Sequence, residues 1–402
     1  MLVFIFAPFY ILVNLYLLHW VLRWTGCCHR LFGTRAFRVL FVILYAFCAF
    51  APLTGFLVRS PAALRHVLRQ IGNYWFGCML YLGLAILLVE IGLFVARRVR
   101  HRDFVQMQRV RQVQGGIALA LVCAVCIYGA VNAHTLRVTD YEVTIEGAGG
   151  DMTVALLADL HLGYNTDPAY IEQTVQAVND MQPDLVVIAG DIFDNEYEAI
   201  PEPDRIAAAL ASLRSTYGTF ACWGNHDVSE PILAGFTWDT ADADKDDPRM
   251  TEFLARAGVT LLADEEVTLA NGVQMVGRKD PSRSRKLDDA RLMPEQLLGP
   301  LDPAQPIFVI DHQPKELDEL AAAGADLDLS GHTHDGQVFP GNLLMGLIWD
   351  NPCGCLRVGE MHSVVTAGLG VWGPDMRVGT RSEVVRITVH FDGWCTGVHL
   401  SM

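Results

Sequence analysis

Hydrophobic positions follow two different rhythms along this chain. Up to about residue 134 they run together in four long stretches, 2–22, 39–58, 74–96 and 113–132, each nearly free of charge and long enough for one helix across a hydrocarbon core. From about residue 140 they come instead in short bursts: 154–158, 185–189, 219–222, 273–276, 307–310 and 327–329. Between the bursts lie stretches with helical spacing, 169–181, 204–215, 250–257 and 314–323. Short apolar strands alternating with helices predict an α/β sandwich. The expected organisation is a four-helix transmembrane region over 1–134, a linker over 135–149 and an α/β domain over 150–402.

Charge divides the chain at the same place. The first region holds thirteen Arg, no Lys and two acidic residues, Glu90 and Asp103, a net +11; the remainder holds 17 basic and 43 acidic residues, a net −26. So acidic a domain is not expected to bind nucleic acid through its phosphates. Arg-rich loops between the four stretches argue against a soluble helical bundle, and the first stretch lacks the basic leader and small-residue cleavage site of a signal peptide. Ten arginines (Arg23, Arg30, Arg35, Arg38, Arg97, Arg98, Arg100, Arg102, Arg109 and Arg111) fall in the first and third loops. Four (Arg59, Arg65, Arg69 and Arg137) fall on the other side. That bias predicts a multi-pass cell-membrane protein with its acidic domain extracytoplasmic. Glu90 is the one charge inside a stretch, near enough to Arg97 to find water or a partner. Among Cys353, Cys355 and Cys395 one disulfide is compatible with that compartment, as is none.

Residues just beyond the apolar bursts narrow the chemistry. ALLADLHLG supplies Asp159 and His161; LVVIAGD supplies Asp191; FACWGNHD supplies Asn225, His226 and Asp227; FVIDHQP supplies His312; LDLSGHTHDGQ supplies His332 and His334. Each is a metal-ligand residue type placed after a strand. Side chains two apart on a strand share a face, which predicts convergence of Asp159 with His161 and of His332 with His334. Ends of neighbouring strands meet in the crevice where open α/β sheets hold their sites, and Gly190, Gly224 and Gly331 allow tight departures there.

In this order the motifs D-x-H, G-D, G-N-H-D, H and G-H-x-H resemble the calcineurin-like metallophosphoesterase superfamily over about residues 150 to 390. The S-G-H-T-H-D-G-Q run, residues 277–280 and the multi-span N-terminus resemble its membrane-associated bacterial branch, similar to the YkuE and YaeI phosphoesterases. The resemblance implies an α/β, four-layer αββα sandwich. It implies one metal on Asp159, His161 and His334, a second on Asn225, His312 and His332, and Asp191 bridging the two. Nitrogen and oxygen donors without thiolate suit Mn, Fe or Zn. It further implies hydrolysis of a phosphoester by a hydroxide activated between two metal ions. His226 would act on the leaving alkoxide. Asp227 either orients His226 or caps a loop.

Beyond the motifs, Arg278 and Lys279 lead a basic cluster with Arg283, Arg285 and Lys286 and are candidate contacts for an anionic part of the substrate. An acidic insertion with Trp238 and five Asp lies before residue 250, either a lid or a solvated loop. Tethering to a bilayer favours substrates in the same plane, such as a phospholipid headgroup or another lipid-linked phosphate. The competing reading is a non-catalytic receptor or scaffold module that keeps the fold and the metals.

Overall fold

A computed structural model describes the chain apart from residues 1, 59, 100–107, 148–149, 234–235, 238–244 and 393–402. Trp238 of the acidic insertion, read as either a lid or a solvated loop, and Cys395, one of three cysteines compatible with one disulfide or none, therefore lie outside the described residues. Two compact units form: residues 1–131 with the short segments Leu233–Phe236 and Gly373–Met376, and the remaining residues.

The first unit is built on four helices: α1 (Leu2–Cys28), α2 (Arg35–Leu57), α3 (Ala62–Val99) and α4 (Gln108–Ala133). Among the described residues three stretches are long and apolar enough to cross a membrane, Arg35–Leu57, Ala62–Ala96 and Gln108–Ala133. The expectation of four spans is thus supported for three. Helix α3 starts twelve residues before the apolar stretch at 74, because a helix continues through the polar Arg65, Arg69, Gln70 and Asn73 wherever no residue breaks it. Arg65 and Arg69 accordingly belong to a helix and not to a loop. Glu90 has a partner: Trp20 Nε1 donates to its Oε1 at 3.1 Å.

The second unit contains two six-stranded mixed sheets. The first runs β1 (Leu136–Glu146), β14 (Ser382–Asp392), β2 (Met152–Leu157), β3 (Leu185–Ala189), β4 (Thr219–Cys222) and β7 (Val259–Leu261). All neighbours are parallel except β14 with β2. The second runs β12 (Gly354–Val358), β13 (Met361–Val365), β11 (Leu327–Ser330), β10 (Ile307–Ile310), β9 (Gln274–Gly277) and β8 (Glu265–Thr268), with antiparallel pairs at both edges. A separate ribbon pairs β5 (Ile232–Leu233) with β6 (Phe236–Thr237). The segment 135–149, expected as a linker, is therefore corrected: most of it is strand β1, in register with β14 from Leu136 with Ser382 to Glu146 with Asp392.

Strand alternation sorts the core. Ala155 and Leu157 of β2 and Val186 and Ile188 of β3 face helices α5 (Pro168–Asp180), α6 (Pro203–Leu210) and α7 (Pro248–Arg256), through Val175, Ile206 and Phe253. Val154 and Leu156, one residue out of phase, face Phe308, Leu327 and Leu329 of the second sheet. The outer side of that sheet, Val276 and Val309, packs on Leu297 of α9 (Pro294–Leu298) and Leu320 of α10 (Leu317–Ala322), which come after α8 (Pro281–Leu287). Helix starts are written locally: Asp167-Pro168, Asp247-Pro248 and Asp280-Pro281 each place a carboxylate that accepts a first-turn N–H before a proline that needs no partner.

Candidate metal centre

Every predicted ligand sits just beyond a strand. Strand β2 ends at Leu157, β3 at Ala189, β4 at Cys222, β10 at Ile310 and β11 at Ser330, all at one end of their sheets. How the side chains converge differs from the expected strand alternation. Asp159, His161, Asp191, His332 and His334 have φ of 53°, 45°, 47°, 73° and 50°, a left-handed backbone that costs a side-chain-bearing residue of order 1 kcal/mol or more. Left-handed turns, and not pleats, aim these groups inward. The backbone is tied in that form by Asp159 N–H to Gly190 O and His161 N–H to Asp191 O, both 3.0 Å.

Two sets of candidate ligands result. In the first, His161 Nε2 lies 3.1 Å from His334 Nε2, and His334 Nε2 lies 3.6 Å from Asp159 Oδ1. In the second, His312 Nε2 lies 3.2 Å from Asn225 Oδ1 and 3.1 Å from His332 Nδ1. Asp191 stands between them: its Oδ2 is 3.0 Å from His312 Nε2 and 3.9 Å from His161 Nε2. In each of the groups Asp159, His161, His334 and Asp191, His312, His332, the donor atoms all lie within 4.8 Å of one another.

So many nitrogen and carboxylate donors facing one another are stable only if cations or protons sit among them. Burial pushes Asp159 up to about 6, with the charge of Asp191 adding to it. Asp191 itself is held well below the usual range, since His312, His226 and His161 outweigh its burial. Burial drives His332 and His334 well down, and their neighbouring imidazoles reinforce it. His312 Nδ1 donates to Ala189 O at 2.9 Å, which leaves the Nε2 lone pair aimed at Asp191 and Asn225. This donor set fits divalent or trivalent metal ions of the Mn, Fe or Zn kind.

Residues 152–336 match the family model described as calcineurin-like phosphoesterase. The chain carries a calcineurin-like metallophosphoesterase domain. Among its relatives, the transmembrane protein with metallophosphoesterase domain of Danio rerio is 28% identical over 68% of this chain and 62% of its own length. An uncharacterized metallophosphoesterase of Helicobacter pylori is 30% identical over 62% of each chain. The UDP-2,3-diacylglucosamine pyrophosphatase LpxG of Chlamydia trachomatis is 24% identical over 46% of this chain and 64% of its own length. The chain thus spans about three-fifths of the length of these relatives.

Around the ligands of this metallophosphoesterase domain the structure revises three expectations. Asp227 does not orient His226. Its Oδ1 accepts from Phe193 N–H at 2.8 Å and its Oδ2 from Gly224 N–H at 2.6 Å, so it caps the loop. His226 is oriented by Asn195, whose Oδ1 is 2.5 Å from Nδ1 and whose amide is fixed by donation to Val228 O. An amide oxygen only accepts, so Nδ1 carries the proton and Nε2 is free. Burial lowers His226 to about 4, which keeps the ring neutral.

Arg278 and Lys279 are the second and third revisions. Arg278 is fully buried and bonds Asp311 at 2.9 Å and Glu316 at 2.7 Å; Lys279 bonds Asp289 at 2.7 Å. Arg278 is neutralised within the fold, because a buried guanidinium needs carboxylates around it, whereas Lys279 is paired at the surface, its side chain and that of Asp289 being 24% and 49% exposed. Arg283 and Lys286 of the same cluster do reach the site. Arg283 donates to Asp227 O at 2.9 Å with its guanidinium 4.9 Å from the Trp223 ring centroid, and Lys286 donates to Asn225 O at 3.0 Å.

Sequence reasoning also passed over Asp194, with Oδ1 3.5 Å from His161 Nδ1, and Arg377, fully buried with Nη2 3.2 Å from His334 Nδ1. Asp194 and Asn195 come directly after Ile192-Phe193 and the G-D motif, a position that offered a signal. Arg377 is preceded by no motif at all. Among the described residues Cys353 and Cys355 form no disulfide.

Proposed function

We propose that this protein hydrolyses phosphoesters with two metal ions at the centre formed by Asp159, His161, Asp191, Asn225, His312, His332 and His334. The observation that carries the reading is the position of Asp191 between the two ligand sets, 3.0 Å from one and 3.9 Å from the other. Both distances are to Oδ2, and a carboxylate oxygen has more than one lone pair to offer, so it can face two cations, which a single imidazole nitrogen cannot. When bound, the metal ions supply Lewis acidity and an activated water. The protein's own groups then divide the remaining work. Asp191 Oδ1 accepts from His226 N–H at 2.7 Å, fixing the backbone that presents the imidazole. His226, neutral with Nδ1–H given to Asn195, offers Nε2 to a bound ester; the negative charge of the substrate raises its proton affinity and readies it to serve the leaving oxygen.

A lipid-linked phosphoester is the substrate class this reading favours. It draws support from the three apolar helices and from the name of the Chlamydia relative, which acts on a diacylated sugar nucleotide. In the same reading α1 is the fourth span and the catalytic domain faces the extracytoplasmic side, as the arginine bias suggests. The test is hydrolysis of a chromogenic phosphodiester by the detergent-solubilised full chain with added Mn. Turnover lost in both His226→Ala and Asp191→Ala is expected; turnover that survives both substitutions refutes the assignment.

A further inference from the structure

Nine large apolar side chains are exposed among the described residues of the second unit: Val138, Leu292, Met293, Phe339, Leu343, Leu344, Leu347, Ile348 and Leu356. Five of the nine fall between 339 and 348. They occupy two short 3-10 turns, Gly341–Leu343 and Met345–Leu347, and their flanks, in a stretch with no charged residue from Val338 to Trp349. Leu347 is 82% exposed and Leu343 and Ile348 66% each, the highest values among these nine. A concentration of this kind on a water-facing loop marks a surface that meets an apolar partner. The loop is held in place: Phe339 N–H donates to Val378 O at 2.8 Å, and Gln337 exchanges two hydrogen bonds with the backbone of Trp372.

The strip is continuous with the metal centre. Trp349, next after Ile348, sets its ring edge-on to the ring of His332 at 5.1 Å. Exposed Lys315 places its ammonium 5.3 Å from the centroid of the same indole. Outward from the ligand His332 come the indole of Trp349, the ammonium of Lys315 over that indole and, next along the chain, the apolar stretch 339–348. That sequence of groups matches the layers of a lipid: phosphoester, glycerol or sugar at the interface, and hydrocarbon. Indole and lysine are side chains that settle at the headgroup level, lysine attracting anionic headgroups.

We infer that residues 339–348 form an apolar lip that inserts into the acyl region of a bilayer leaflet, so that a lipid phosphoester reaches the metal ligands past Trp349 and Lys315 while its tails remain in hydrocarbon. The three helices long and apolar enough to cross a membrane would tether the chain to a bilayer. This inference rests on the phosphoesterase reading for its substrate, but insertion of the lip can be measured without turnover.

The full chain is placed in nanodiscs of phosphatidylcholine and phosphatidylglycerol with doxyl-labelled lipid. An environment-sensitive fluorophore is attached to Leu347→Cys and, in parallel, to Glu319→Cys on the exposed side of α10; the signal of the labelled parent chain is subtracted from both. Quenching at 347 at least twofold above that at 319 is expected, whereas equal quenching overturns the inference. Concentration-dependent self-association through the lip, without quenching, overturns it in favour of a second copy as the occupant. In a second measurement Leu347→Glu with Ile348→Glu is expected to lower the ratio of kcat/KM on a nanodisc-borne lipid phosphoester to that on a soluble diester at least tenfold. An unchanged ratio refutes the lip. If neither ester is cleaved by the parent chain, the phosphoesterase reading fails while the quenching result still decides insertion.

Discussion

Gly224→Ala tests how tightly the centre is built. A methyl group at this position would lie 2.2 Å from both the backbone nitrogen and Oδ1 of Asp191, where ordinary contact begins near 3.4 Å. Relief requires a displacement of about 1 Å, and the obstructing nitrogen belongs to a main chain tied by His161 N–H to Asp191 O at 3.0 Å. Overpacking of this kind costs about 1–3 kcal/mol in stability. An error of about 1 Å in a reacting constellation costs about a hundredfold in rate. Gly258→Ala is the control: Gly258, unlike Gly224, has a left-handed backbone, with φ +67°, but its methyl would meet open space. Metal content, melting temperature and diester hydrolysis would be compared for the two variants. Both are expected to melt lower, and only Gly224→Ala to lose metal and about two decades of turnover. Equal retention of metal and rate by the two variants would refute the claim that the centre leaves no room beside Asp191 for a side chain at residue 224.

The remaining predictions concern groups that the ligands do not include. Buried Asp328 is pushed up to about 7 by burial first and the charge of Asp311 second, although Ser330 and Ser363 donate to it at 3.0 and 2.8 Å. Its fold holds a proton that the unfolded chain has released above 3.8, so the stability it withholds grows as pH rises from about 4 and is complete above about 7. Asp328→Asn should accordingly gain on the parent chain between pH 5 and pH 8 in denaturant melts, by on the order of 3 kcal/mol at most; a difference that does not vary with pH would contradict this. Asn195→Ala should lower turnover about tenfold to a hundredfold with metal content unchanged, since it frees the ring of His226 and touches no ligand pair; loss of metal instead would make Asn195 a structural support of the centre.

Much of the site was legible because each ligand comes directly after an apolar burst long enough to form a buried strand. Position along the chain was readable, while mode of convergence was not: whether Asp159 and His161 meet by pleat or by left-handed turn depends on backbone bonds to Gly190 and Asp191 thirty residues away. Strand β1 escaped notice because LRVTDYEVTIE alternates polar residues on an exposed edge, a weak period-two signal beside the full burial of β3. The start of α3 escaped for the opposite reason, its first turns being too polar for an apolar window. Arg278 and Arg283 stand five residues apart in one basic run, yet one is sealed among carboxylates and the other braces the loop of Asn225 and His226. Only tertiary partners separate such residues.

The most direct measurement is the number of metal ions bound per chain, by elemental analysis of the purified full-length protein before and after Asp191→Ala. The account predicts two ions per chain in the parent and one or none in the variant, since both ligand sets lose a donor at once. A parent chain that takes up a single ion at saturation, or a variant that keeps two, would contradict the shared role of Asp191.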